Sequence, residues 1–206
     1  MNNEFTKYVI DYNVPPDDNN ENIWSVKYSN FRVEEAKRQL GKQVVDLERI
    51  KKYANEFLNG LGFDTIDNPK FEMGWLKDDD KRAVDEFYKK IQDNFDLTYD
   101  SDIVFMRFTL DGYIGVVGNN KDAHNFADDT TSSIIISKLA KSWNKDFVYI
   151  FPLKKLWTIK DWDLGDCRCH RVEKGIGNYL SEKYNVPILD YFSHRFKPER
   201  LKFKNK

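Results

Sequence analysis

Both cysteines of the chain, one of its three histidines and two of its five tryptophans fall between Trp157 and Arg171. These are scarce, chemically versatile residue types, so their grouping marks the first place to look for a site. Cys167-x-Cys169-His170 offers three soft or borderline metal ligands, Cys167, Cys169 and His170. A structural zinc would need at least one more, from His124, His194 or Asp166. The same run also places thiols beside a base, which makes Asp166, Cys167 and His170 the candidates for catalysis, provided that the base comes within hydrogen-bond reach of the thiol. Ordinary packing explains the letters too, because cysteine is among the most often buried residue types. The neighbouring Trp157 and Trp162 are candidates for binding, since large rings with a polar edge make good interface anchors.

Two further groups could do chemistry on phosphates. Asp100 and Asp102 precede an apolar run at a spacing that puts both carboxylates on one strand face, and Asp128-Asp129 open another element; facing carboxylates can hold Mg²⁺. Capping and solvated loops account for such pairs in a chain with 34 acidic residues. At the C-terminus, Arg195, Lys197, Arg200, Lys202 and Lys204 alternate with Phe196, Leu201 and Phe203. Basic residues interleaved with rings suit a nucleic-acid contact, the charges meeting phosphates and the rings stacking on bases. A solvated tail uses the same residues.

Gly112-Tyr113-Ile114-Gly115, followed by Gly118-Asn119-Asn120, resembles the second half of the signature of the GIY-YIG nucleases. The resemblance implies a strand whose tyrosine takes part in phosphodiester cleavage. It covers one short run, and the chain departs from the pattern on both sides. Ile103-Val104-Phe105 stands where the family has Gly-Ile-Tyr, and no arginine occurs in 121–129. A hairpin with glycines at tight positions accounts for the run equally well. The chain contains no GxGxxG, GxxxxGK[ST], Gly-x-Ser-x-Gly or His-Glu-x-x-His, which argues against the common nucleotide-binding, hydrolase-elbow and metalloprotease machinery.

The elements that must position these residues follow from apolar period. Val33, Ala36, Leu40, Val44, Leu47, Ala54, Leu58 and Leu61 keep a helical phase up to Gly60 and Gly62, as one long helix or two broken near Gly41. Asp78-Asp79-Asp80 suit the start of a second helix with Val84, Phe87, Ile91 and Phe95 on one face. Ile103–Phe108 and Tyr113–Val117 flank Leu110-Asp111-Gly112 as a hairpin. A helix capped by Asp128–Ser133 runs to about Trp143, a strand covers Phe147–Leu153, a helix carries Val172, Ile176, Tyr179, Leu180 and Tyr184, and Val186–Phe192 forms a further strand. The result is an α+β fold in a single domain, 1–206, with a mixed, mainly antiparallel sheet and about four helices. Residues 1–32 form an ordered N-terminal arm and 195–206 a basic tail or edge strand.

At 206 residues with 40% hydrophobic and 15% aromatic content, the chain can bury a substantial core. The formal net charge of −1 means that any attraction to nucleic acid must be local. No apolar run is long enough to span a bilayer, the first residues lack a signal-peptide pattern, and cysteines two apart suit reduced thiols, so a cytoplasmic protein is expected. Two functional readings remain. One is an interaction protein, an adaptor or inhibitor binding another macromolecule through an aromatic-rich surface, with a protein partner favoured over nucleic acid. The other is a small metal- or thiol-dependent hydrolase or nuclease. No cofactor is implied by any motif.

Overall fold

A computed structural model describes residues 4–9, 29–72, 81–95, 103–119, 139–140, 142–153 and 168–190. In chain order these carry a 3₁₀ turn at Thr6–Tyr8, helices α1 (Ser29–Leu40) and α2 (Leu47–Gly60), strand β1 (Lys70–Glu72), helix α3 (Lys81–Phe95), strands β2 (Ile103–Phe108), β3 (Ile114–Asn119) and β4 (Phe147–Pro152), and helix α4 (Arg168–Tyr184). The strands form one antiparallel sheet in the order β1-β4-β2-β3. The expected α+β class is present, with four helices among the described residues, two of them from the division of the stretch 33–62; the helix expected from Asp128 to about Trp143 falls largely outside the described residues. The expected strand at 186–192 contributes a single parallel bridge, Ile114 to Ile188, supported by hydrogen bonds from Leu189 N to Ile114 O and Asp190 N to Gly115 O, both at 2.9 Å.

β2 and β4 are buried at every position because helices cover both faces of the sheet. Val104, Met106, Phe108, Val117, Phe147, Tyr149 and Phe151 face α2, α4 and the N-terminal turn. Ile103, Phe105, Val116, Val148 and Ile150 face Ile91 and Phe95 of α3, with Ile66, Phe71 and Trp143 alongside. Continuous apolar strands such as Ile-Val-Phe-Met-Arg-Phe are what a sheet buried on both faces requires, since alternation would leave polar groups inside. β1, with exposed Lys70 and Glu72, forms a short polar edge, the usual protection against further pairing.

Local signals fix the helix ends. Asp46 caps α2 by accepting from Arg49 N at 2.9 Å. At its other end Gly62 takes φ +84°, while Gly62 N bonds Asn59 O at 2.8 Å and Phe63 N bonds Leu58 O at 3.0 Å. That pair of bonds closes the helix with the left-handed residue glycine supplies best. The break between α1 and α2 spans 41–46, close to the expected Gly41. α4 begins four residues before Val172, where the apolar phase starts, because Arg168–Arg171 carry no apolar spacing to reveal it. Asn185, at φ 53°, ends it. β1 has no counterpart in the sequence reading, being three residues whose pairing is set by its neighbour β4.

Candidate functional site

The two ends of the sheet are built differently. At one end the β2–β3 connection closes as a loop held by its own side chains. Thr109 Oγ1 donates to Asp111 Oδ1 at 2.6 Å and accepts from Tyr113 N at 3.1 Å, while Thr109 N reaches Tyr113 O at 2.9 Å. Gly112, at φ +89°, supplies the left-handed position such a loop needs. Tyr113 Oη then donates to the Leu40 and Lys42 carbonyls at 2.9 and 3.3 Å, tying the loop to the end of α1. Leu110 N bonds Ser142 O and Asn144 N bonds Phe108 O, so the chain entering β4 is stitched to the same end. Tyr113, the tyrosine of the Tyr-Ile-Gly run, is therefore accounted for by a structural role.

At the opposite end lie Ile103, where β2 begins, Asn119, where β3 ends, and Pro152, where β4 ends. Ile103 pairs with Pro152, and Val104 with Asn119. α4 crosses this end: the Asn119 amide donates to the Glu173 carboxylate, which is only 8% exposed. At about 1.5 Å of rise per residue, Arg168 lies about 7 Å further along the axis, beyond the strands. Cys169 and His170 occupy backbone positions in this first turn of α4, inside a helix and not in the strand-to-helix connection. The parallel bridge at Ile188 also sets the direction of 186–190, which runs along the edge of β3 toward this same end.

Chain connectivity gives this geometry its interest. Segment 96–102, with Asp100 and Asp102, enters the sheet at Ile103. Segment 120–138, with His124 and Asp128-Asp129, leaves it at Asn119. Segment 154–167, with Trp157, Trp162, Asp166 and Cys167, runs from β4 to α4, and the C-terminal stretch with His194, Arg195, Lys197, Arg200, Lys202 and Lys204 follows from Asp190. All of these residues lie outside the described residues, as do the arm at 10–28, Trp75 and Asp78–Asp80. Among the described residues no group of three or more His, Cys, Asp or Glu could hold a metal ion. No helix among them is long and apolar enough to cross a membrane.

Sequence reasoning passed over two buried polar residues and the half-buried Asn119 that pairs with one of them. Arg107, 6% exposed, stacks its guanidinium 4.3 Å from the Trp143 ring centre, and Trp143 in turn lies against Gly115, where a Cβ would come within 2.2 Å of the indole. A β-bulge between Arg107 and Phe108 re-aims the strand here. Asn119 and Glu173 are the others. Arg107 alone left a signal: a charged residue inside an apolar run is costly to bury unless it has partners.

The other polar cluster on α4 lies toward its C-terminus. Lys183 Nζ donates to Glu56 Oε1 at 2.9 Å and to Tyr179 Oη at 2.8 Å, and Tyr184 Oη donates to Glu56 Oε2 at 2.6 Å. Tyr184 stacks on Tyr53 at 3.6 Å. Burial pulls the Glu56 carboxyl upward, but the hydrogen bonds from Tyr184 and Lys183 outweigh it and hold the group at about 2. Burial, first of all, raises Tyr179 and Tyr184. A carboxylate held ionised and tyrosines held neutral make a lock between α2 and α4, with no group poised to exchange a proton near neutrality.

The chain matches no protein-family model, no characterised protein and no solved structure. Fold and geometry alone therefore bear on its role.

Proposed function

We propose that the protein is a non-enzymatic cytoplasmic adaptor or inhibitor that engages another macromolecule at the end of the sheet marked by Asn119, Pro152 and the start of α4. One observation carries this reading: the turn end is closed by internal hydrogen bonds, whereas the connections bearing the scarce cysteine, histidine, tryptophan and paired aspartate residues begin or end at the other. Recognition residues sit disproportionately on connections that a rigid scaffold positions. The scaffold's own rings, among them Phe57, Phe108, Tyr149, Phe151 and Tyr179, are spent on the core, and Leu110 is the one large apolar residue exposed among the described residues. The aromatic partner surface is assigned in this proposal to Trp157 and Trp162. A protein partner is favoured, with nucleic acid the alternative through Arg195, Lys197, Arg200, Lys202 and Lys204.

The buried Glu173 carboxylate beside Asn119, one turn below Cys169 and His170, favours a second reading, a metal- or thiol-dependent hydrolase or nuclease at this same end. Two assays separate them. A photo-crosslinking residue at position 170 should capture a discrete partner in cells, while the same residue at Leu110 should not. Purified protein with Mg²⁺ or Zn²⁺ should leave single- and double-stranded nucleic acid intact. Turnover that disappears in Asp100→Asn with Asp102→Asn, or in Cys167→Ser, would replace the adaptor reading with the enzymatic one.

A further inference from the structure

Residues 4–9 sit against α2 and α4 in the manner of a bound peptide. Val9 is buried, and Phe5 and Tyr8 pack onto the main core cluster. The Phe5 ring lies 6.2 Å from Phe57 and 5.6 Å from Tyr179, and Tyr8 meets Tyr179 edge-on at 5.1 Å. Lys183 Nζ stands 5.9 Å from the Phe5 ring centre. Asn178, 1% exposed, donates to the Tyr8 carbonyl at 3.0 Å, so a buried amide of the body reads the backbone of the segment. The segment's own bonds, Tyr8 N to Phe5 O and Val9 N to Thr6 O, fold it into a turn.

The groove is cleared by two glycines. A Cβ at Gly60 would fall 2.3 Å from the Phe5 ring, and one at Gly175 would fall 3.0 Å from Val9 Cγ2 and 2.7 Å from Phe57. Gly60 and Gly175 both lie within helices, where glycine is worse than alanine. Their use is clearance for this segment and the ring beneath it. The tether to α1, residues 10–28, includes Pro15-Pro16-Asp17-Asp18-Asn19-Asn20.

We propose that the α2–α4 groove is a peptide-docking site for the pattern Phe5-x-x-Tyr8-Val9, filled in cis by the chain's own N-terminal segment and exchangeable once the tether is cut. The tether contributes effective concentration; the rings, the Asn178 bond and the glycine clearance contribute recognition.

The test uses the full chain with a specific protease site inserted between Asp18 and Asn19. After cutting, the body should keep its circular-dichroism spectrum, and a labelled peptide of residues 2–10 should displace the cut fragment saturably. Gly60→Ala in the body, or Phe5→Ala in the peptide, should weaken that binding by about tenfold or more, the scale expected for losing one well-packed ring. Gly60→Ala is compatible with the helix, so its effect reads the groove and not the fold. Unfolding of the body on cutting, failure of the peptide to enter, or binding indifferent to both substitutions would each overturn the proposal.

Discussion

The two ends of the sheet use the same kinds of residue to opposite effect. At the turn end, Thr109, Asp111, Gly112 and Tyr113 consume their hydrogen-bonding capacity on one another and on the Leu40 and Lys42 carbonyls. At the other end, the half-buried Asn119 donates to the buried Glu173, and the segments before Ile103, after Asn119 and after Pro152 join the sheet there. A polar cluster that closes on itself is scaffold. One that lies where the connections depart is, under the proposed function, close to what they would bind. The same contrast runs along α4, whose C-terminal half is locked by Glu56, Tyr179, Lys183 and Tyr184.

If the locked half plays no part at the Asn119 end, its loss should cost stability without changing partner capture there. Tyr179→Ala removes a fully buried ring from the core between α2, α4 and the N-terminal segment, and should lower unfolding free energy by about 3–5 kcal/mol in chemical denaturation. Partner capture from position 170, measured well below the new melting temperature, should be unchanged.

At the end proposed to engage the partner, the balance should reverse. Asn119→Ala should cost about 1–3 kcal/mol, because it takes a donor from a buried carboxylate. Glu173→Gln keeps the volume and should stay within about 1 kcal/mol of the parent while reducing partner capture. Equal loss of capture in Tyr179→Ala and Glu173→Gln would erase the distinction between the halves.

Much of this scaffold was legible in the sequence, for reasons visible residue by residue. Asp111-Gly112 between two β-rich runs located β2 and β3, Gly62 located the end of α2, and Phe147–Leu153 located β4. What escaped was non-local. β1 exists because β4 offers it an edge, and 186–190 pairs with β3 through one bridge, neither of which leaves a period in the sequence. Glu173 sits between Val172 and Lys174, with Arg171 beside them, so nothing in the local sequence marks it as buried. The candidate site residues could be named from their rarity, yet rarity says nothing of position; the topology fixes only the anchor points Ile103, Asn119 and Pro152, from which three of their segments continue.

Smaller effects sharpen the same contrast. Thr109→Val removes both the donor to Asp111 and the acceptor for Tyr113 N, and should cost about 1–2 kcal/mol without affecting capture. Tyr184→Phe should cost no more than about 1 kcal/mol, since a third of the Glu56 side chain is exposed and water screens the pair. Because Glu56 titrates lower in the folded chain than its ordinary 4.5, its contribution is present above that value and fades as the pH falls toward about 2. That pH dependence should flatten in Glu56→Gln when unfolding is followed across the acid range.

The central claim, that one end of the sheet is the working end, is tested most directly by site-specific photo-crosslinking from positions 170 and 110 in parallel, with folded variants verified by circular dichroism. A discrete partner captured from position 170, weakened by Glu173→Gln and missing from position 110, is the predicted result. Capture from position 110, or equal capture from both positions, would contradict it.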